Sequence, residues 1–127
     1  MDRRVVVTGL GAVTPCGNSP EELWENLLAG RHGFELAPWF AEQESENLKV
    51  VARVKNFDPS EYFDKKEQRR SAIIVQYAVY CSLKALEDAG TDFKDLDPFR
   101  VGTIIGSGIG GIHTTEEELL TYHNKGN

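Results

Sequence analysis

Residues 65–90, KKEQRRSAIIVQYAVYCSLKALEDAG, decide the fold of this chain. Asp64 and Glu67 stand three apart just ahead of an apolar run. That is the spacing of a capping box, in which each side chain satisfies the other's backbone N–H. Gly90 supplies the left-handed stop that ends many helices, so the pattern predicts one long helix over residues 65–89. Within it Ala72, Ile73, Ile74, Val75, Tyr77, Ala78, Val79, Tyr80, Cys81, Leu83, Ala85 and Leu86 go most of the way round the axis. A helix apolar on nearly all sides is buried in a larger body or in a membrane. The stretch 72–83 is too short to span a bilayer and is interrupted by Gln76 and Ser82. The helix therefore needs protein on several faces, and 127 residues offer few elements to wrap it. Its cover is expected from a missing part of the protein or from another chain.

Upstream, residues 4–8 form a β-branched run of the kind that makes a strand covered on both faces. Gly9-Leu10-Gly11 ends it. Ser19, Pro20 and Glu22 give the next helix start, a cap, a proline at the first helical position and a box-completing carboxylate. That helix is expected over residues 20–29, stopping at Gly30, with Leu23, Trp24, Leu27 and Leu28 on its apolar face. Residues 31–47 read as an irregular, acidic surface excursion, and residues 48–55 as a candidate strand. Asp58-Pro59-Ser60-Glu61 opens a single helical turn by the same capping chemistry.

Downstream, residues 100–105 read as a second buried strand, followed by Gly106-Ser107-Gly108-Ile109-Gly110-Gly111. Thr114 or Thr115 then caps a short helix running to Tyr122, with Glu116, Glu117 and Glu118 in its first turn, where acidic groups suit the helix dipole. Strand, helix, strand, helix predicts an α/β fold with a parallel sheet.

Composition bounds the function. With 40% hydrophobic and 27% charged residues the chain is an ordinary globular protein, and its net charge of −6 argues against a general nucleic-acid binder. The two cysteines are too few for a disulfide framework. Arg3 and Arg4 precede only Val5-Val6-Val7 before Thr8-Gly9, so no secretory signal is read, no membrane span is expected, and the expected setting is cytoplasmic.

Four features are candidates for chemistry. Gly106, Gly108 and Gly111 satisfy G-x-G-x-x-G between a strand and a helix, the dinucleotide fingerprint. Only residues 112–127 follow, too few for a strand bearing an acidic ribose contact about 20 residues on. The same glycines would equally serve a close-packed elbow or an opening for a ligand chain, and pattern alone leaves these readings open. Thr8-Gly9-Leu10-Gly11-Ala12 lacks the phosphate-binding helix start and reads as tight backbone packing. Lys66, Arg69 and Arg70 fall on one helix face, able to meet an acidic partner or to be solvated beside Asp64 and Glu67. Placed at the start of the long helix, they would oppose its dipole.

Cys16 has neither a histidine nor a helix start close in sequence, so it reads as a small buried residue, and Cys81 reads as core. His32, His113 and His123 form no ligand set, so no metal is expected. No nucleophile, base and orienter are found together.

Taken together, Arg3-Arg4-Val5-Val6-Val7-Thr8-Gly9-Leu10-Gly11, Thr14-Pro15, Gly17-Asn18, Leu27-Leu28-Ala29-Gly30, Lys66-Glu67-Gln68-Arg69-Arg70 and Ile105-Gly106-Ser107-Gly108-Ile109-Gly110-Gly111 resemble the opening of β-ketoacyl-[acyl-carrier-protein] synthases of the chain-elongating, synthase II type. The resemblance implies a thiolase-like αβαβα fold, of which this chain would be part of the N-terminal half, and a homodimer. It implies a decarboxylative Claisen condensation without a cofactor, in fatty acid biosynthesis. Its partner would be acyl carrier protein, acyl- and malonyl-loaded. The family's nucleophilic cysteine and two histidines would lie C-terminal to this segment. Cys16 does not match that nucleophile, and the isolated chain is expected to be inactive. By the same resemblance Lys66, Arg69 and Arg70 match the basic positions that meet the carrier's acidic helix. Ile109 matches the gate of the acyl pocket, with Gly108 and Gly110 giving it mobility. The non-catalytic partner subunit of polyketide synthases and a small nucleotide-binding domain are the competing readings.

Overall fold

The computed structural model describes residues 3–37 and 50–126. Four helices and one hairpin make up these residues: α1 (Pro20–Leu28), β1 (Phe34–Leu36), β2 (Val50–Ala52), α2 (Lys65–Arg70), α3 (Ile73–Ala89) and α4 (Ile112–Lys125). A 3-10 turn lies at Pro98–Arg100.

α1 starts where its sequence says it should. The Ser19 hydroxyl accepts from the Glu22 N–H at 3.1 Å. Glu22 reaches back one residue further than a standard box and accepts from Asn18 N–H at 2.7 Å. The end is set by Gly30, whose φ of 67° suits a residue without a Cβ.

The long helix predicted over residues 65–89 is two helices. Asp64 and Glu67 form the full capping box that opens α2. Ser71 and Ala72 are extended, with ψ values of 130° and 146°, and α3 begins anew at Ile73. No glycine or proline marks this break; a later side chain holds it. Gln76, 6% exposed, donates from Nε2 to the carbonyls of Gln68 (2.9 Å) and Ser71 (3.0 Å). Those carbonyls have lost their helical partners, and buried polar groups left unpaired are costly. The polar residue that interrupts the apolar run is thus the clamp of the helix break. α3 closes at Gly90, φ 63°.

Three sides of α3 are occupied. Phe57 packs edge-on against Tyr77 and Tyr80, with ring centroids 4.8 and 5.2 Å apart, and Tyr62 against Tyr80 at 5.5 Å. Thr103 and Ile105 lie beside Ala78, Val79, Ser82 and Leu83. On another side runs the N-terminal segment. A Cβ at Gly9 would lie 2.0 Å from the Ala85 carbonyl oxygen, and one at Gly11 would lie 2.0 Å from that of Cys81. Glycines two apart therefore meet helix residues four apart. The repeats match because two extended residues and four helical ones each advance about 6–7 Å. Leu10, between them, donates its N–H to Asp88 Oδ2 at 2.8 Å. The tight-packing reading of Gly9 and Gly11 is borne out.

The parallel sheet is not formed among the described residues. Residues 4–8 and 101–105 carry no strand pairing. The sheet present is the antiparallel hairpin β1–β2, with Phe34 opposite Ala52 and Leu36 opposite Val50. β1 thus falls inside the stretch read as irregular, of which residues 38–47 lie outside the described residues. β2 occupies the middle of the candidate strand. A β-branched run supplies strand propensity, yet a strand exists only when a neighbouring backbone takes its hydrogen bonds. Val5 (95% exposed) and Ile104 (97%) have no such neighbour here. Ala37 is the buried apolar side chain among the described residues.

The acidic residues at the C-terminal end of α3 oppose its dipole, and each is compensated. Asp88 holds the Leu10 N–H, while Glu87 joins a cluster beside the aromatic group. Lys84 Nζ lies 2.9 Å from Glu61 Oε1 and 3.0 Å from Glu87 Oε2. The Tyr62 hydroxyl donates to Glu87 Oε1. Tyr62 first, then Lys84, holds the Glu87 carboxyl below its ordinary 4.5. Glu61 first, then Tyr62 and Glu87, holds the Lys84 ammonium above its ordinary 10.5.

A depressed acid stabilises fully above its unfolded value and loses that contribution as pH falls through its folded value. A raised base stabilises fully below its unfolded value and loses it as pH rises through its folded value. The cluster is therefore complete between 4.5 and 10.5. The melting-temperature difference between wild type and Glu87→Gln is expected to stay constant from about pH 5 to pH 9 and to shrink in more acid buffer. A difference that grows on acidification would contradict the assignment.

Candidate functional site

The basic patch sits on α2. Lys65, Lys66, Arg69 and Arg70 are exposed. None of them makes an ion pair among the described residues, and the neighbouring carboxylates are committed elsewhere. Asp64 Oδ1 accepts from the N–H groups of Lys66 (2.7 Å) and Glu67 (2.8 Å), and Glu67 Oε2 accepts from Asp64 N–H at 2.9 Å. The box that starts the helix thus holds both neighbouring carboxylates on backbone N–H groups rather than in ion pairs with the patch. The break after Arg70 also reverses the expected dipole penalty for two of the three cations, while Lys66 stays in the first turn of α2. Arg69 and Arg70 occupy the last turn of α2, where cations are favoured. Arg69 Nε donates to the Lys65 carbonyl at 3.1 Å.

The glycine elbow lies at the other end of the same junction. Ser107 Oγ accepts from the Gly110 N–H at 2.8 Å, bracing the turn across its neck. Gly110 has a φ of 72°, a left-handed conformation that a side chain disfavours. Cβ atoms at Gly106, Gly108 or Gly110 would meet nothing within 4 Å. Ile109 projects from this open turn, 76% exposed. Gly111 is different: a Cβ there would lie 2.6 Å from the Ala72 Cβ.

α4 starts directly after Gly111 and not at the threonines. Its N-cap is Gly111, without a side-chain cap bond. Thr115 instead donates its N–H (3.0 Å) and hydroxyl (3.2 Å) to the Gly111 carbonyl. Glu116, Glu117 and Glu118 therefore fall beyond the first turn, and Glu117 Oε1 lies 3.4 Å from His113 Nε2.

Cys16 is half-buried, its N–H bonded to Thr14 Oγ1 (3.1 Å) and its carbonyl to Asn26 Nδ2 (2.6 Å). Cys81 is half-buried against the N-terminal segment, and burial pushes its thiol up, away from thiolate character. Among the described residues no three His, Cys, Asp or Glu side chains gather as metal ligands, and no helix is long and apolar enough to cross a membrane.

Sequence reasoning found the patch, the elbow and the close-packed glycines. It missed the Gly111–Ala72 contact, the Ser107 brace and the Gln76 clamp. A signal existed for the last: a lone glutamine in an otherwise apolar run needs partners.

The profile of the family "Beta-ketoacyl synthase, N-terminal domain" matches residues 2–127. The chain is 40% identical over 122 residues to 3-oxoacyl-[acyl-carrier-protein] synthase 2 of Coxiella burnetii, covering 94% of this chain and 29% of that protein. It is 39% identical over 115 residues to the synthase 2 of Staphylococcus aureus, covering 91% of this chain and 28% of that one. The chain thus spans less than a third of the length of these relatives.

Among solved structures, a type II PKS acyl-carrier protein in complex with its ketosynthase matches with a TM-score of 0.75 at 28% identity, covering 99% of this chain and 33% of that one. The ishigamide ketosynthase/chain length factor matches with a TM-score of 0.72 at 27% identity, over 98% of this chain and 31% of that one. The expected thiolase-like α/β class is that of these ketosynthases. With the profile covering nearly every residue, the chain belongs to the β-ketoacyl synthase family, in its N-terminal domain.

Proposed function

We propose that the protein to which this chain belongs is a chain-elongating 3-oxoacyl-[acyl-carrier-protein] synthase of fatty acid biosynthesis. The reading is carried by the 40% identity to a relative of that name across 94% of the chain. In this reaction an acyl group moves from its carrier thioester to an active-site cysteine, releasing the carrier thiol. Malonyl-carrier then loses CO2, and the resulting carbanion attacks the acyl carbonyl. A C–C bond forms, and the cysteine thiolate leaves. Neither Cys16 nor Cys81 is given that role. The nucleophile and its two histidines are assigned to the remainder of the longer enzyme. That remainder would cover the exposed Val5-Val6-Val7 run and Ile104.

Two functions fall to residues present here. Lys66, Arg69 and Arg70 dock the acidic surface of acyl carrier protein, a role supported by their exposure and by the committed Asp64 and Glu67 carboxylates. Ile109, flanked by Gly108 and Gly110, gates the acyl pocket. A homodimer in the cytoplasm, working without a cofactor, completes the reading.

Purified full-length protein, given acyl- and malonyl-carrier, should release CO2 and form 3-oxoacyl-carrier. Carrier binding without any product would favour the non-catalytic partner subunit instead. The isolated 127-residue chain is expected to form no product. Ile109→Phe is expected to slow transfer of long acyl chains by about tenfold or more while short ones change by less than about threefold. Equal slowing of both would remove the gate.

A further inference from the structure

The segment after the patch and the end of the elbow meet at a pair of small residues. Ala72 stands two positions after Arg70, in the extended break between α2 and α3. Gly111 closes the elbow and caps α4. A Cβ on Gly111 would lie 2.6 Å from the Ala72 Cβ, nearer than real Cβ atoms approach. Its φ of −87° lies outside the left-handed region, so the requirement for glycine that holds at Gly110 does not apply at Gly111. The contact with Ala72 leaves no room for a side chain there.

Both sides of this contact are held. Gln76 Nε2 binds the Gln68 and Ser71 carbonyls and so fastens the break. Thr115 binds the Gly111 carbonyl through its N–H and its hydroxyl. Near the other end of the elbow, Ile105 faces α3 across a cavity that it lines with Ala78, Val79, Ser82 and Leu83. The apex from Gly106 to Gly110 has open space around its glycines. Ala72 is thus the neighbour on the α2 side of the segment that carries Ile109.

We propose that Gly111 and Ala72 are positioning residues that seat the Ile109 gate on the α2–α3 junction and tie it to the carrier-docking patch. This rests on the gate and docking roles proposed above. Movement of α2 on carrier engagement would reach the gate through Ala72, and close packing at the contact leaves no slack to absorb it.

The test uses the full-length enzyme and compares kcat/KM for long and short acyl-carriers. Gly111→Ala adds the clashing Cβ and is expected to lower the long-to-short ratio by about tenfold. Adding Ala72→Gly removes the opposing Cβ and is expected to restore the ratio to within about twofold, since the interaction is between the two side-chain atoms. Equal loss with both chain lengths, or no recovery in the double variant, overturns the inference.

If Gly111→Ala does not fold, Ala72→Gly alone decides. It empties the seat without adding bulk and is expected to relax length discrimination by about threefold; an unchanged ratio overturns the inference. Ile109→Phe separates the two levels. If it is length-selective and the Gly111 variants are not, only the seat falls; if it is unselective, the gate reading falls and the seat with it.

Discussion

Gly11→Val is expected to destabilise the full-length protein by about 3 kcal/mol or more, above the usual 1–3 kcal/mol of overpacking. The reason lies in what the new side chain meets. A Cβ at Gly11 would lie 2.0 Å from the Cys81 carbonyl oxygen and 2.9 Å from its carbon. These are backbone atoms of a continuous helix, unable to rotate away. Relief requires the N-terminal segment to lift from α3, which would also break the Leu10 N–H bond to Asp88. Thermal unfolding followed by circular dichroism reads the effect. No truncation of the Cys81 side chain can rescue it, because the offending atom belongs to the main chain. At Gly111 the opposing atom is a Cβ, and rescue is available. A Gly11→Val protein melting within about 1 °C of wild type would show that the segment does not lie against α3.

Reversing the patch with Lys66→Glu, Arg69→Glu and Arg70→Glu is expected to weaken carrier binding by about a hundredfold at low salt. Each reversal removes an attraction and adds a repulsion, together about 1 kcal/mol at an exposed site, and 1.4 kcal/mol is tenfold. The loss should shrink as ionic strength rises, because the Debye length falls from about 10 Å at 0.1 M to about 3 Å at 1 M. Association rate should carry much of the change. Stability should move little, since none of the three makes an ion pair among the described residues; losing the favourable dipole placement of Arg69 and Arg70 costs a few tenths of a kcal/mol each. Titration of labelled carrier against the variant measures it. An affinity equal to wild type at low salt would remove the docking role.

Much of the candidate site was legible because its parts are local. One helix turn places Lys66, Arg69 and Arg70 together, and the glycines around Ile109 declare an open turn by composition alone. The family resemblance then attached chemistry to positions that pattern had left with several readings. What was not legible depended on distant partners. Whether Lys66 was neutralised by Asp64 and Glu67 turned on which donors those carboxylates found, and they found backbone N–H groups. Whether the cations opposed a dipole turned on where the helix ended.

The helix starts at Ser19 and Asp64, the stops at Gly30 and Gly90, the close packing of Gly9 and Gly11, and the family can all be read from residue order. Each rests on residues within a turn of one another or on a motif read in order. The break at Ser71–Ala72, the start of α4 at Gly111, and the absence of pairing for residues 4–8 and 101–105 emerge from the folded chain. The break needs Gln76 to reach back to two carbonyls, α4 starts where the Gly111 carbonyl takes the Thr115 N–H and hydroxyl, and a strand needs another backbone alongside. Local propensity proposes an element. The groups that satisfy its hydrogen bonds decide whether it forms.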